Sequence, residues 1–233
     1  MKTKLFNIII FAITLIVTIA VLSIMPDIVP VHFGIDGVAD RWGSKYEMLV
    51  MPGCMLAMLA FWLGTESTYK KKIKSSTDEK EIAEAKANLK VFDVTSILTS
   101  ALFAAINGIT LYASYSQLDG VSVKSVDILK LLAIVMGIVF ILMGNFMPKA
   151  KNNRNIGFRL PWTRYNDVTW QKSNRFAGIA MVICGLLITL AGFIFSGKIA
   201  MVIMLVILMV VLPILTIYAY SVHKNEVEKN EKE

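Results

Sequence analysis

Six long stretches without a charged residue dominate the sequence and restrict what the chain can fold into. They span residues 5–24, 48–65, 94–118, 131–148, 176–197 and 199–222. A bilayer core about 30 Å thick is crossed by about 20 helical residues, each of which adds about 1.5 Å. We therefore predict an all-α, multi-pass membrane protein with six transmembrane helices. The first stretch is too long for a signal-peptide core, and we expect it to be a retained helix.

The composition agrees with a membrane protein. Of the 233 residues, 56% are hydrophobic and 18% are charged, whereas soluble domains have about 45–50% apolar and about 25% charged residues. This balance argues against a soluble enzyme, a disordered regulator and a fibrous repeat. Cys54 and Cys184 both lie in apolar stretches, so neither a disulfide framework nor a metal cluster follows from them. The sequence has no nucleophile–base set, metal motif or phosphate loop, and we expect no catalysis and no cofactor.

The distribution of Lys and Arg predicts the orientation. Nineteen of the 24 lie in the two terminal tails and in the second and fourth loops, and five lie in the other three loops. Positive residues concentrate on the cytoplasmic side, so both termini are predicted to be cytoplasmic, and the first loop (25–47) extracellular. The net charge of +7 is then explained mainly by the Lys and Arg residues of the cytoplasmic loops and tails. Without interleaved aromatic residues the lysines do not indicate direct nucleic-acid binding, but residues 70–74 suit contact with anionic membrane lipid.

The second loop, residues 66–93, carries a helix-start signal. Ser76 and Glu79 have the spacing of a capping box, with Ser76 as the N-cap. The residues that follow are rich in Ala, Glu and Lys, which favour helix. We therefore expect a helix to run from this loop into the third span. Pro213 predicts a kink in the sixth.

Glycines recur at intervals of seven residues in the fourth and fifth spans. Seven residues is nearly two helical turns, so each set lies on one helix face. Small residues let helix backbones approach closely in lipid. We predict that the two spans pack along these faces, although contact with another helix is an alternative. The glycines are Gly137, Gly144, Gly178, Gly185 and Gly192.

The third span is the most polar of the six. A stripe of small and polar side chains at helical spacing includes Ser96, Ser100 and Asn107, and Asn107 lies near its middle. An unpaired amide in hydrocarbon is costly. The stripe therefore predicts either a polar cavity or substrate path, or hydrogen bonds to a neighbouring helix. No Asp, Glu, Lys or Arg lies deep in any span, which argues against a proton-driven transporter.

The extracellular loop combines extended and turn-forming residues. Pro26 and Pro30 favour an extended chain, and Asp36-Gly37 is a strong tight-turn signal. Three interpretations are open: a weak metal site, a turn in which Asp36 or Asp40 pairs with Arg41 or Lys45, or a ligand-recognition surface. The candidate ligand contacts are His32, Asp36, Gly37, Asp40, Trp42 and Lys45.

The fourth loop, residues 149–175, is dense in Arg, Trp and Asn. Arg159 and Trp162 have the spacing for a cation–π contact, and Asn166 or Asp167 can cap the fifth helix. Trp162 and Trp170 are predicted to anchor the loop at the membrane interface. The loop is either a docking surface for a cytoplasmic partner or lipid headgroup, or a membrane-anchored connection with snorkelling arginines.

Two sets of residues resemble known families. The extracellular set, Pro30, His32, Phe33, Gly37, Asp40 and Lys45, resembles the short N-terminal module called DUF1648. The cytoplasmic set resembles the core motif of the SdpI family, membrane immunity proteins of Gram-positive bacteria. That motif comprises Asn155, Gly157, Arg159, Pro161, Trp162, Thr163, Trp170, Asn174 and Arg175. We accordingly divide the chain into a DUF1648-like module (1–65), a basic cytoplasmic loop (66–93), an SdpI-like four-helix region (94–222) and a polar tail (223–233).

The resemblance implies a function at the cell membrane. It implies protection against a secreted peptide toxin of the sporulation-delaying type, with a second role as a receptor that holds a transcriptional repressor at the membrane. On this interpretation the extracellular set contacts the toxin and the cytoplasmic motif couples binding to the inside. The alternative is a small transporter or lipid-handling protein with the polar stripe of the third span along its path.

Overall fold

The computed structural model describes residues 2–118, 127–153 and 155–232. Its long helices are α1 (Lys2–Ile24), α2 (Val50–Ser75), α3 (Glu79–Ser116), α4 (Ile128–Phe146), α5 (Asp167–Ile194) and α6 (Gly197–Asn230), and two short strands, β1 (Ile28–Phe33) and β2 (Ala39–Ser44), follow α1. Six helices of the described chain are long and apolar enough to cross a membrane. The prediction of a six-helix membrane protein is therefore confirmed.

Successive helices alternate in direction, which gives the bundle two distinct ends. The strands β1 and β2 and the short α5–α6 turn lie at one end, which we call the hairpin end. The chain termini, the α2–α3 turn and the loop between α4 and α5 lie at the other, which we call the motif end. The predicted third loop with Lys124 lies largely outside the described residues.

The segment predicted as a basic loop at 66–93 is helical except at residues 76–78, because α2 and α3 both extend well beyond their apolar parts. The predicted N-cap of α3 was wrong. Asp78 is the cap, and its carboxylate accepts a hydrogen bond from the Lys80 N–H at 2.9 Å. Ser76 instead ends α2, since its own N–H bonds to the Lys72 carbonyl. Pro213 lies inside α6, which continues as helix on both sides of it.

Helices α4 and α5 approach each other closely along their glycines. A Cβ atom added to Gly137 would lie 2.7 Å from the Gly185 carbonyl oxygen, and one added to Gly144 would lie 2.6 Å from the Gly178 carbonyl oxygen. A Cβ on Gly192 would meet the Ile134 side chain at 2.6 Å. Any larger residue would push the two backbones apart, so the glycine faces define this interface.

Helices α1 and α3 are joined by buried polar pairs. The Asn107 amide donates to the Thr18 hydroxyl at 2.9 Å. One turn from the motif end, the Asn7 amide donates to the Ser96 hydroxyl, also at 2.9 Å. These bonds correspond to the interhelical alternative for the polar stripe of α3, and they give both amide nitrogens a partner where a bilayer offers no water. Asn7 Oδ1 has no hydrogen-bond partner among the described residues.

Replacement of Gly185 by Leu is expected to lower the free energy of unfolding by about 1–3 kcal/mol, the usual cost of overpacking a tight interface. A Cβ at this position would lie 2.5 Å from the Gly137 carbonyl oxygen. The measurement is the melting midpoint of the purified protein in detergent. Gly108→Leu is the matched control, because Gly108 also lies within a span but faces open space. Equal melting midpoints for the two variants would contradict the close contact.

Candidate functional site

The hairpin end carries a small antiparallel β-hairpin. Strands β1 and β2 pair from Ile28 opposite Ser44 to Phe33 opposite Ala39, with irregular register near His32. The turn is the predicted Asp36-Gly37 sequence, in which Gly37 has a φ of +77°. The Asp36 carboxylate accepts a hydrogen bond from the Val38 N–H at 3.1 Å. The turn prediction is therefore confirmed, and the loop between α1 and α2 is an ordered hairpin.

The hairpin is fixed to the helices beneath it. Val29 is fully buried in a cluster formed with apolar side chains of α1 and α3. At the end of α3, the Ser114 hydroxyl donates to the Pro30 carbonyl at 2.5 Å. The Gln117 side-chain amide forms two hydrogen bonds to the turn. Its oxygen accepts from the Ala39 N–H at 2.9 Å, and its nitrogen donates to the Gly37 carbonyl at 3.0 Å. These contacts link residues about 80 positions apart, and the sequence contains no local signal for them.

The ion pairs of the hairpin differ from those predicted. Asp40 lies 2.6 Å from His32 Nδ1, Arg41 pairs with Glu47 at 2.9 Å, and Lys45 pairs with Asp27 at 3.2 Å. The expected pairing of Asp36 or Asp40 with Arg41 or Lys45 was therefore wrong. Adjacent residues of a strand point to opposite faces, so each charged side chain finds its partner on another segment.

Four of the six candidate ligand contacts face outward. His32, Asp36, Asp40 and Trp42 are exposed, whereas Gly37 and Lys45 are partly buried. Trp42 is 49% exposed, and the apolar side chains Ile35, Val38 and Tyr46 are also exposed. Among the described residues, no group of three or more His, Cys, Asp or Glu side chains lies close enough to hold a metal ion. The hairpin thus presents an apolar surface next to a His–Asp pair.

The loop at the motif end is organised around one buried amide. Asn174, on α5, is completely buried, and its side-chain oxygen accepts from the Phe158 N–H at 2.7 Å. Its amide nitrogen donates to the Trp170 carbonyl at 3.1 Å. Gly157 has a φ of +114°, and a Cβ there would lie 2.6 Å from the Asn174 oxygen and 3.0 Å from the Trp170 ring. Glycine is the residue that fits this position, on both conformational and steric grounds.

Two threonines and a capping asparagine complete the fold of the loop. The buried Thr163 hydroxyl accepts from the Leu160 N–H at 2.9 Å, and the Thr169 hydroxyl donates to the Thr163 carbonyl at 3.2 Å. Of the two predicted caps, Asn166 is the one used, and it forms a reciprocal capping box with Thr169. The loop is therefore held by its own polar side chains.

The predicted membrane anchoring by Trp170 was wrong. The side chain is 2% exposed, and its indole N–H donates to the Ala150 carbonyl at 2.7 Å, inside the protein. Trp162 is half-buried and packs edge-on against Tyr220 of α6, with ring centroids 5.9 Å apart. Trp170 thus connects α5 to the start of the loop, and Trp162 connects the loop to α6.

The loop also contacts the α2–α3 pair. The Asn88 side-chain oxygen, on α3, accepts from the Lys151 N–H at 2.8 Å. Asn155 donates to the Tyr69 hydroxyl of α2 at 3.4 Å. On the other side, Lys172 pairs with Glu226 of α6 at 3.3 Å. The loop therefore touches α2, α3, α5 and α6 at once, and a movement of any of these helices reaches it.

The nine residues of the predicted motif fall into three groups. Gly157, Thr163, Trp170 and Asn174 build the loop and, apart from the part-buried Gly157, are buried; Trp162 is half-buried against α6; Asn155, Arg159, Pro161 and Arg175 are exposed. Only the exposed group is available to a partner. The sequence reasoning missed Asn88 and Gln117, which fix the loop and the hairpin, because isolated polar residues near span ends carry no distinguishing signal.

Family models match the two ends of the molecule that these sites occupy. Residues 9–56 match the Domain of unknown function (DUF1648), which here comprises most of α1, the hairpin and the start of α2. Residues 149–219 match the SdpI/YfhL protein family, which here comprises the loop, α5 and most of α6. From the motif-end loop through α6 the chain is therefore similar to the SdpI/YfhL protein family.

A relative of known name extends the match to nearly the whole chain. The Immunity protein SdpI of Bacillus subtilis (strain 168) is 26% identical over 227 residues, which covers 96% of this chain and 97% of the relative. No solved structure matches. The resemblance to SdpI that was inferred from the sequence is confirmed. This similarity and the six apolar helices together identify a multi-pass membrane protein.

Replacement of Gly157 by Ala is expected to open the motif-end loop. The alanine must adopt a disfavoured backbone conformation, which costs about 1–3 kcal/mol of stability. Its Cβ atom also displaces the Asn174 amide. Trypsin cleavage after Arg159 and Arg164 should become about tenfold faster, the effect of about 1.4 kcal/mol.

Gly37→Ala is the control for this prediction. Gly37 also has a positive φ, but nothing lies within 4 Å of a Cβ added there, so cleavage in the loop should be unchanged. If Gly157→Ala resists trypsin as well as the parent protein does, the buried amide does not hold the loop.

Proposed function

We propose that this protein is an integral membrane immunity protein that protects a Gram-positive bacterium against a secreted peptide toxin. The observation that carries the proposal is the end-to-end similarity to a protein named for immunity. Because the match includes the segments that form the hairpin, the helices and the motif-end loop, the proposal is supported by nearly the whole chain and not by the motif alone. In this proposal the protein acts by binding the toxin rather than by catalysis.

The hairpin end faces outward in this proposal, and the motif end faces the cytoplasm. The distribution of Lys and Arg supports this orientation, because most of them lie at the motif end. A toxin that arrives from outside then meets the hairpin first.

The exposed face of the hairpin is the proposed toxin contact. Trp42 offers a large apolar surface with a polar N–H, and such side chains dominate the binding energy of many interfaces. The neighbouring His32–Asp40 pair adds a polar rim. Peptides that disrupt membranes are amphipathic, and a surface with both characters at the outer leaflet is suited to capture them before they insert.

Helix α3 is the proposed route by which binding reaches the inside. Its last turns hold the hairpin through Ser114 and Gln117, and its first turns hold the motif-end loop through Asn88. A toxin that favours one position of α3 over another shifts the population of the loop conformation. This is the basis on which we extend the proposal to a receptor role, with a toxin of the sporulation-delaying type outside and a transcriptional repressor held at the exposed loop residues inside.

The alternative, a small transporter or lipid-handling protein, has less support. Its main argument is the polar stripe on α3, but Ser96 and Asn107 are engaged with side chains of α1. A cavity of about 220 Å³ lies between the hairpin and α3, next to Asn107. A transport path through the described chain would have to begin from this cavity and extend it.

Cysteine labelling of intact cells is expected to support the proposed orientation. Both native cysteines are first replaced by Ala, and single cysteines are introduced at Val38, which is 58% exposed on the hairpin, and at the exposed Gln171 near the start of α5. A membrane-impermeant maleimide should label position 38 in intact cells and position 171 only after lysis. The reverse pattern would overturn the orientation.

Expression of the protein in a strain sensitive to the sporulation-delaying peptide is expected to increase survival during a challenge with that peptide. Trp42→Ala should reduce the protection about thirtyfold, the effect of the roughly 2 kcal/mol lost when an aromatic hot spot is removed.

Phe61→Ala is the matched control, since Phe61 is also an exposed aromatic residue but lies on α2 within the predicted span. Membrane levels of all three proteins are compared by immunoblot. If the parent protein gives no protection against this or other peptide toxins, the immunity proposal fails, and equal protection by Trp42→Ala removes the hairpin face from it.

A further inference from the structure

A polar cleft of about 460 Å³ lies at the motif end, where the loop faces the α2–α3 pair. Tyr69 and Lys72 line it from α2, Asn88 from α3, and Asn155 and Arg164 from the loop. Its volume is in the range of small-molecule sites, about 300–1,000 Å³. The immunity proposal gives this cleft no role.

The cleft is rich in hydrogen-bond donors. Among the described residues no carboxylate lies within salt-bridge distance of the Arg164 guanidinium, which is exposed. Lys72 pairs with Glu81 at 2.9 Å, and an ammonium group has three N–H donors, so it retains donors for a ligand. Glu84 is the carboxylate that also lines the cleft. Arg164, which has no carboxylate partner among the described residues, and the neighbouring side-chain amides favour an anionic ligand with hydroxyl groups.

The walls of the cleft are held in place before any ligand arrives. The Asn88 oxygen is fixed by the Lys151 N–H, and the Asn152 amide donates to the Arg164 carbonyl at 3.4 Å across the loop. Asn155 is positioned by the Tyr69 hydroxyl. A preformed site of this kind loses little conformational entropy on binding.

The surroundings of the cleft place it at the edge of the apolar part of the bundle. Tyr69 and Phe92, with ring centroids 6.1 Å apart, belong to an aromatic cluster that also contains Trp62 of α2. Lysines 70, 71 and 74 continue α2 beyond the cleft. A cleft between an aromatic cluster and a lysine-rich helix end lies at the depth of lipid headgroups, where basic pockets between helices bind anionic lipids.

We propose that this cleft binds the headgroup of an anionic phospholipid of the phosphatidylglycerol type. Arg164 and Lys72 contact the phosphate, and the asparagine amides contact the glycerol hydroxyls. The bound lipid joins the loop to the α2–α3 pair and stabilises their contact. The proposal depends on the geometry of the cleft and stands independently of whether the protein confers immunity.

Native mass spectrometry of the purified full-length protein tests the proposal. Phosphatidylglycerol and phosphatidylcholine with the same acyl chains are titrated separately, and dissociation constants are taken from the bound fractions. Phosphatidylglycerol should bind more tightly, and Arg164→Gln should weaken its binding about fivefold, as expected for the loss of one exposed charge-assisted hydrogen bond. Arg164→Lys should retain most of the affinity, because it keeps the charge.

Lys86→Gln is the matched control, since it removes one exposed positive charge from α3 outside the cleft. It should leave the affinity unchanged. Equal losses for Lys86→Gln and Arg164→Gln, or equal binding of the two lipids, would overturn the proposal in favour of general charge attraction. Competition by soluble glycerol phosphate at similar concentrations would assign the cleft to a soluble anion, and competition by an acidic peptide would assign it to a protein partner; either result rejects the lipid.

Discussion

A polar group inside a bilayer has no water to bond to, so its partner must lie within the protein. In the N-terminal half, α3 carries most of this pairing. It bonds α1 through Ser96 and Asn107, the hairpin through Ser114, and the motif-end loop through Asn88. Because these contacts are spread along one continuous helix, the positions of the hairpin and the loop both depend on α3.

The C-terminal half is held together in a different way. Its central contact is the approach of α4 and α5 at glycines such as Gly137 and Gly185, where dispersion and close packing replace side-chain hydrogen bonds. A contact between backbones tolerates little sliding, whereas hydrogen bonds between side chains adapt by small rotations of those side chains. On this physical ground, the α1–α3 side of the bundle is better suited to small movements, and α4–α5 is better suited to provide a fixed reference.

The two ends of the bundle differ in how they use polar residues. At the hairpin end the helices supply the bonds, and the hairpin keeps side chains such as Trp42 exposed. At the motif end many polar groups of the loop form hydrogen bonds within the loop itself, and Asn174 and Thr163 are completely buried. Much of the motif that marks the family is therefore structural, and what remains for partners is its exposed edge and the cleft beside α2 and α3.

The sequence by itself determined the six spans and the tight turn at Gly37 and narrowed the cap of α5 to Asn166 or Asp167, since each depends on neighbouring residues or on the thickness of a bilayer. The partners of Asp40, Arg41 and Lys45 and the burial of Trp170 were decided by the tertiary structure. These features depend on which of several chemically equivalent groups comes within hydrogen-bond or ion-pair distance. That choice is made by the packing of whole segments, since the hairpin that carries the ion pairs is itself held by a residue about 80 positions further along the chain, and no local pattern records it.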